Sequence, residues 1–305
     1  MIMSKIYESV SVVMRAYNAE KYIKSALYSA LNNTYEGPVE IIVCYDLGSK
    51  DHSLDVIKEV ISSNSHRDNR AIKLVMHEHT TPFRALLECG FTNATGRFIT
   101  ILDYDNLYPR RHIEKMVKKA LETKKNFLFV RDYFFEDETL KIVGSSQIPE
   151  DPCNIINLIR GNYIDGNAMF IDRSCLYTIM DKLKKLNHRL YDFIFEDWLI
   201  ALLGLKYCKC LFCDDSYVFY RVHAANLTGI NVKDYRTNVL SSIRDIATLI
   251  AFYELEKDDL TRREIIELEY SLLRRLLTLS KFLGKGMEKG ILFNAFSKLV
   301  DILRR

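Results

Sequence analysis

A chain of 305 residues that is 48% apolar and 27% charged has the material for a large hydrophobic core, in one large domain or two smaller ones. Its formal net charge of +3 is too small to mark a nucleic-acid binder, and no uninterrupted apolar run approaches the ~20 residues of a membrane-spanning helix. The start, MIMSKIYESVSVVM, carries an acid inside its short apolar stretch and no small-residue cleavage site, so it does not read as a signal peptide. Seven cysteines at irregular, mostly apolar positions do not read as a disulfide framework, and together these features point to the cytoplasm.

In chain order, short β-rich runs alternate with helical patterns. VSVVM at 10–14 is followed by EKYIKSALYSALNNT, VEIIVCYD at 39–46, SLDVIKEVISS, IKLVMH, PFRALLECGFTNAT and RFITILDYD. That β-α-β-α-β-α-β order predicts a Rossmann-like α/β fold, an open and mostly parallel sheet flanked by helices. The near-continuous apolar run in the second strand suits burial on both faces. From about residue 231 the pattern turns helical, with Leu240, Ile243, Ile246, Ala247, Ile250 and Ala251, then Ile265, Leu268, Leu272, Leu276 and Leu279, at helical spacing. We therefore expect a catalytic-sized α/β domain over 1–230 and a helical region over 231–305, with Gly284 and Gly286 ending one helix before a last amphipathic one.

Open parallel sheets bind ligands outside the carboxyl ends of their strands. The first strand exits into Arg15, Ala16, Tyr17 and Asn18, the second into Asp46, Gly48, Ser49 and Asp51, and the fourth into Asp103, Tyr104 and Asp105. Taken singly, each is explained by caps and turns, which recruit the same residues. Together they line one crevice with carboxylates, an amide and backbone donors. Two carboxylates one residue apart suit an oxygen-preferring cation, Mn²⁺ or Mg²⁺, held together with a nucleotide diphosphate. Neither a G-x-x-x-x-G-K-[ST] loop nor a G-x-G-x-x-G after the first strand is present, which disfavours P-loop enzymes and dehydrogenases.

A second acidic pair, Glu196 and Asp197, opens an amphipathic run in YDFIFEDWLIALLGLKY. Helix capping and dipole stabilisation are the ordinary uses of such acids. The aromatic stretch before them and the lone tryptophan after them favour a partly desolvated carboxylate, the kind that serves as a general base.

Taken in order, VSVVMRAYNAEKYIKSALYSALNNTYEGPVEIIVCYDLGSKDHS, ATGRFITILDYDN, FEDWLIALL and FYRVHAANLT resemble the family 2 glycosyltransferases of the GT-A fold, over roughly residues 9–229. The resemblance implies an inverting, metal-dependent transfer of a sugar from a UDP- or GDP-sugar to an acceptor hydroxyl. It implies that Ala16, Tyr17, Asn18 and Asp46 line the base and ribose pocket, that Asp103, Tyr104 and Asp105 bind donor and metal, and that Asp197 is the base with Glu196 as the alternative. Gly166 and Asn167, in IRGNYIDGNAMFIDRS, fall on the family's acceptor side, where a glycan, glycolipid or protein would be recognised. The lack of a Q-x-x-R-W motif and of membrane helices favours single transfers.

Departures from the pattern matter. A single Asp46 between Tyr45 and Leu47 stands where the family often has an acidic pair, which leaves the nucleotide base open. The family's usual Arg-Asn pair falls on Leu87 and Glu88, and Arg84, one helical turn earlier, is the residue expected to reach a phosphate. His223 is the expected polar partner of metal or diphosphate. Cys208, Cys210 and Cys213 lack a fourth partner at zinc spacing and read as small hydrophobes on a strand. The rival functions are a sugar nucleotidyltransferase, which would want a Gly-rich basic loop absent from RAYNAEKY, and a non-catalytic nucleotide-sugar binding protein, for which Tyr45, Leu47 and Leu87 argue.

The tail, residues 270–305, carries a surplus of Lys and Arg beside Leu292, Phe293, Phe296, Leu299, Val300 and Leu303 at helical spacing. That pattern reads as peripheral contact with an anionic membrane; packing on the catalytic body and a homo-oligomer seam compete for the same stripe.

Overall fold

The computed structural model describes residues 7–64, 69–223 and 235–283. The expected alternation is present: β1 (Val10–Ala16), α1 (Ile23–Leu31), β2 (Val39–Asp46), α2 (Ser53–Ser63), β3 (Arg70–His77), α3 (Pro82–Arg84) and β4 (Phe98–Ile101). Beyond it come α4 (His112–Thr123), β5 (Phe127–Glu136), β6 (Ile142–Ser145), α5 (Ile155–Arg160), β7 (Met169–Asp172), α6 (Arg173–Leu183), α7 (Glu196–Tyr207), β8 (Cys210–Val222), α8 (Tyr235–Glu256) and α9 (Arg262–Leu283). One eight-stranded sheet has the order β3-β2-β1-β4-β7-β5-β6, with β8 also on β5. The first four strands are mutually parallel, with Val12 opposite Ile41 and Thr100; β7 runs antiparallel to β4 and β5.

Alternation along the strands divides the core in two. Val13, Ile42, Ile99, Phe127 and Met169 face one side with α5 to α9; Val12, Ile41, Val43, Leu128 and Phe170 face the other with α1, α2 and α4. Helix α1 buries Ile23, Ala26, Leu27, Ala30 and Leu31, the i, i+3, i+4, i+7 stripe of a helix lying on a sheet.

Several expectations are corrected. The segment after Thr81 is one turn of α-helix that widens into a π-helical stretch, Ala85–Phe91, capped by the Thr81 hydroxyl and started by Pro82. Helix α7 is not amphipathic: Trp198 to Gly204 are all buried, because the sheet lies under the helix and α5, α6 and α8 surround it. Gly204 is required there, since a Cβ would fall 2.4 Å from the Phe127 ring. Six of the seven cysteines pair, as Cys44–Cys89, Cys153–Cys210 and Cys175–Cys208, and Cys213 is a buried thiol. Disulfides persist in oxidising surroundings, so the cytoplasmic reading loses its cysteine argument.

Helices α8 and α9 pack on the same core as α7, through Val239, Ile243, Ile246, Ala247, Ile250, Ala251, Leu268 and Leu279. Leu240 and Leu276, expected on the buried stripe, are exposed. No described helix is long and apolar enough to cross a membrane. Gly284, Gly286 and the apolar stripe of 292–303 lie outside the described residues.

Candidate active site

Because β1, β2 and β4 are parallel neighbours, their carboxyl ends open side by side. Asn18 takes a left-handed backbone conformation (φ 48°), which Asn tolerates better than most residues. It thereby laces two exits together: its N–H donates to Ser49 Oγ at 3.2 Å and its Oδ1 accepts from Lys50 N at 2.8 Å. Asp46 is buried, accepts from Gly48 N at 2.7 Å, and lies 3.0 Å from His79 Nδ1. Over His79 sits the exposed ring of Tyr17, 5.1 Å away, a flat apolar surface beside a carboxylate. Ala16, Tyr17, Asn18 and Asp46 are thus brought together, and His79 joins them unforeseen.

The fourth strand delivers its two acids to different partners. Asp103 Oδ1 accepts from Arg15 Nη2 at 2.7 Å and Nε at 3.1 Å, and Oδ2 accepts from Asn167 Nδ2 at 3.2 Å. The same guanidinium donates to Glu196, whose other oxygen lies 3.8 Å from Arg244 of α8. Burial opposes the Arg15 charge, yet Asp103 and Glu196 together hold its pKa above the ordinary value. Asp105 faces the opposite way in chemistry: its Oδ2 is 3.0 Å from His223 Nε2, and its carbonyl accepts from Arg221 Nε at 2.8 Å. Arg221 is fixed by Asp137 at 2.8 Å, and Tyr22 lies 4.9 Å from the His223 ring and 4.7 Å from the Arg221 guanidinium. Tyr104, half-buried between the acids, has its phenol pushed up to about 12 by burial and then by Asp105.

The turn holding Gly166 and Asn167, expected on the acceptor side, meets α7. Asp165 caps the short turn Gly166–Ala168, accepting from Asn167 N at 2.9 Å. A Cβ on Gly166 would lie 3.7 Å from Asp197 Cβ, so this turn packs directly on Asp197. Asp197 accepts from Asn162 Nδ2 at 3.0 Å and Trp198 N at 2.7 Å, and forms no salt bridge among the described residues. Burial first, then Asp165 and Glu196, raise its pKa well above the carboxylate range. Asp165 is lifted to about 6, chiefly by burial, and the fully buried Asp132 of β5 is raised by burial and by the charges of Asp165 and Asp197. Asp132 Oδ1 has no hydrogen-bond partner among the described residues.

Arg84 is engaged elsewhere, its guanidinium 5.0 Å over the Tyr191 ring and 3.4 Å from Glu88. Cys208 and Cys210 go to different disulfides, which removes the zinc alternative. Reading the residues alone missed Asn162, Asp165, Arg221, Asp132 and Arg244. Asn162 and Asp165 flank Gly166 in a turn-rich stretch, a local signal; Arg244 lies 48 positions from Glu196 and gives none.

Among the described residues no group of three His, Cys, Asp or Glu side chains converges on a metal position. The Asp105–His223 pair nonetheless offers one oxygen and one imidazole nitrogen, a donor set that fits Mn²⁺ or Mg²⁺ when substrate oxygens and water complete the shell. Asp103, with both oxygens engaged, is the acid of the two without a metal-type partner.

Known proteins resemble the chain in sequence and in fold. Residues 11–186, more than half of the chain, match the family described as Glycosyl transferase family 2. The UDP-Glc:alpha-D-GlcNAc-diphosphoundecaprenol beta-1,3-glucosyltransferase WfaP of Escherichia coli is 28% identical over 240 residues, 77% of this chain and 87% of that protein. Residues 1–349 of TarS from S. aureus superpose with a TM-score of 0.61 at 17% identity, covering 95% of this chain and 79% of that one. The mannosyltransferase PcManGT of Pyrobaculum calidifontis, in complex with GDP-Man and Mn²⁺, gives 0.58 at 15% identity, over 98% and 81% of the two chains.

Proposed function

The chain belongs to glycosyl transferase family 2, with the GT-A fold, and on that premise we propose that it moves one sugar per encounter from a nucleotide-diphosphate sugar to an acceptor hydroxyl, with inversion. The observation that carries this reading is Asp197: a half-buried carboxyl with no salt bridge among the described residues, its pKa raised well above the carboxylate range, packed against the Gly166–Ala168 turn. A carboxyl raised in this way is a stronger base than an ordinary carboxylate and suits taking a proton from a sugar hydroxyl. Tyr17 offers its ring to the nucleotide base while Asn18 and Asp46 take ribose hydroxyls, and Asp103 through Arg15 fixes the distance between the donor side and α7. Asp105 and His223 would hold a divalent ion, which when bound neutralises diphosphate charge as the leaving group departs.

Asp197 accepts the acceptor proton as the hydroxyl oxygen attacks the anomeric carbon from the face opposite the diphosphate. Attack from that face inverts the anomeric centre and requires no covalent enzyme intermediate. Glu196, tied to Arg15 and Arg244, is an anchor and not the base. For the acceptor we favour a lipid-linked sugar diphosphate, the class printed in the name of the Escherichia coli relative.

The test is release of nucleoside diphosphate from a panel of UDP- and GDP-sugars, with Mn²⁺, Mg²⁺ or a chelator, with and without lipid-diphosphate sugar acceptors. Anomeric NMR of the product reads the stereochemistry. No release from any donor overturns the reading, and binding without release favours the non-catalytic alternative.

A further inference from the structure

Helix α9 carries two apolar stripes, and the described residues cover only one of them. Leu268, Leu272 and Leu279 face the core. Ile266, Tyr270, Leu273 and Leu277 lie on the outside, 56%, 62%, 55% and 54% exposed, at spacings of four, three and four residues that place them in one line. An unbroken row of four large apolar side chains is unusual for a solvated surface and marks a contact face.

The charges around the row identify what it contacts. At ~100° per residue, Arg263, Arg274 and Lys281 fall within about 70° of the row's centre, and all three are exposed. Two of the three acids of α9 are turned to the protein: Glu264 to Lys206 at 3.7 Å and to Thr261, Glu267 to Arg160 at 2.9 Å. Glu269 is exposed, on the flank away from those cations. A helix with apolar residues in a row, cations beside them and two of its three acids neutralised inward has the pattern of one lying in the interface of an anionic bilayer.

The position of the face fits that use. Helix α9 packs on α5, where the Arg160 carbonyl accepts from Arg274 at 3.2 Å and from Arg275 at 3.1 Å. Two residues on, Asn162 donates to Asp197. We infer that the outer face of α9 seats the enzyme on an anionic lipid surface and holds the acceptor side of the site, reached through α5, toward acceptors anchored in that surface. The inference rests on the proposed transfer to a lipid-linked acceptor; the surface contact itself is measured without turnover.

The experiment is cosedimentation of the full chain with vesicles of phosphatidylglycerol and phosphatidylethanolamine, or of phosphatidylcholine alone, at low and high salt. Binding is expected to the anionic vesicles only and to weaken with salt. Leu273→Glu/Leu277→Glu should lower the partition coefficient roughly tenfold or more. Arg263→Gln/Lys281→Gln should erase the preference for anionic lipid, and Leu121→Glu, the same change at an exposed site on α4, should leave binding intact. Donor hydrolysis in the absence of vesicles should be equal in all of them, which separates this inference from the glycosyltransferase reading. Absence of vesicle binding overturns it, as does binding unchanged in Leu273→Glu/Leu277→Glu. A parent dimer that this variant converts to monomer, seen by light scattering, also overturns it and makes the row a seam between two copies.

Discussion

Asp165→Asn removes one charge from the cluster of acids around Asp197 while keeping its shape. Asp165 Oδ1 accepts from Asn167 N at 2.9 Å and from Asn167 Nδ2 at 2.5 Å, and an amide oxygen can accept both. Burial is the main reason the carboxyl titrates at about 6 instead of 3.8, a rise worth ~3 kcal/mol at 1.36 kcal/mol per pKa unit. Because the folded-state value lies above the unfolded one, the favourable contribution is complete below about pH 4 and is lost as the pH climbs through about 6. Asn does not ionise, so the variant escapes that loss. Its stability relative to the parent should therefore improve by up to ~3 kcal/mol between pH 4 and pH 8, read from urea denaturation at both ends and at pH 6. Asp197 loses a neighbouring negative charge at the same time, so the acid limb of kcat/KM should move to lower pH. A stability difference that does not change with pH, or an acid limb that stays in place or moves upward, refutes the reasoning.

Asp105→Asn and His223→Ala should each weaken Mn²⁺-dependent binding of nucleoside diphosphate on the order of 10-fold or more, with binding in a chelator unchanged; calorimetry that finds the metal dependence intact removes the pair from the site. Asp197→Asn should lower turnover on the order of 10²-fold or more while leaving donor affinity close to the parent's, since general-base catalysis commonly supplies 10² to 10⁴. If Asp197→Asn matches the parent in rate assays and Glu196→Gln is dead, the two roles exchange. Thiol titration of the denatured, unreduced protein should find one reactive group, Cys213, against seven after reduction; seven before reduction would mean that the three disulfides do not form.

The chain order and parallel direction of the first four strands were legible because near-continuous apolar runs, helical stripes and turn residues all agreed. Strand exits could be read for the same reason, since an apolar run that stops at Asp46 or Asp103 has only one place to put its carboxylate. What could not be read is who meets whom across long separations. Arg15 stands out as a charge at a strand end, but its partner Glu196 is 181 residues away, and only the packing of α7 on the sheet brings them together. Helix α7 itself misled, because its two charges and Lys206 sit at the ends of a segment otherwise buried all round. Cysteine pairing was hidden by separations of 45, 57 and 33 residues with no regular spacing. On α9, the row at 265, 268, 272, 276 and 279 drew attention from the outer one, although a helix with two apolar rows has more apolar surface than one core contact can cover.

The start of α7 has no cap of its own: Phe195 is at the N-cap position, and its N–H donates to Thr248 Oγ1 of α8 at 2.8 Å. Arg244, one turn earlier on α8, donates to the Ile194 carbonyl at 3.1 Å and covers the Phe195 ring at 4.3 Å. A capping bond of this kind contributes ~1 kcal/mol, and here it holds the two residues that precede Glu196 and Asp197. The helical region is therefore not a detachable module in the evolutionary sense. Recombination between relatives at the end of β8 would exchange α8 and leave α7 without its foreign cap, unless the incoming tail also carried an arginine and a hydroxyl four residues apart at this register. Chimaeras built to exchange acceptor preference should place their junction before Ile194 or keep Arg244 and Thr248 with α7.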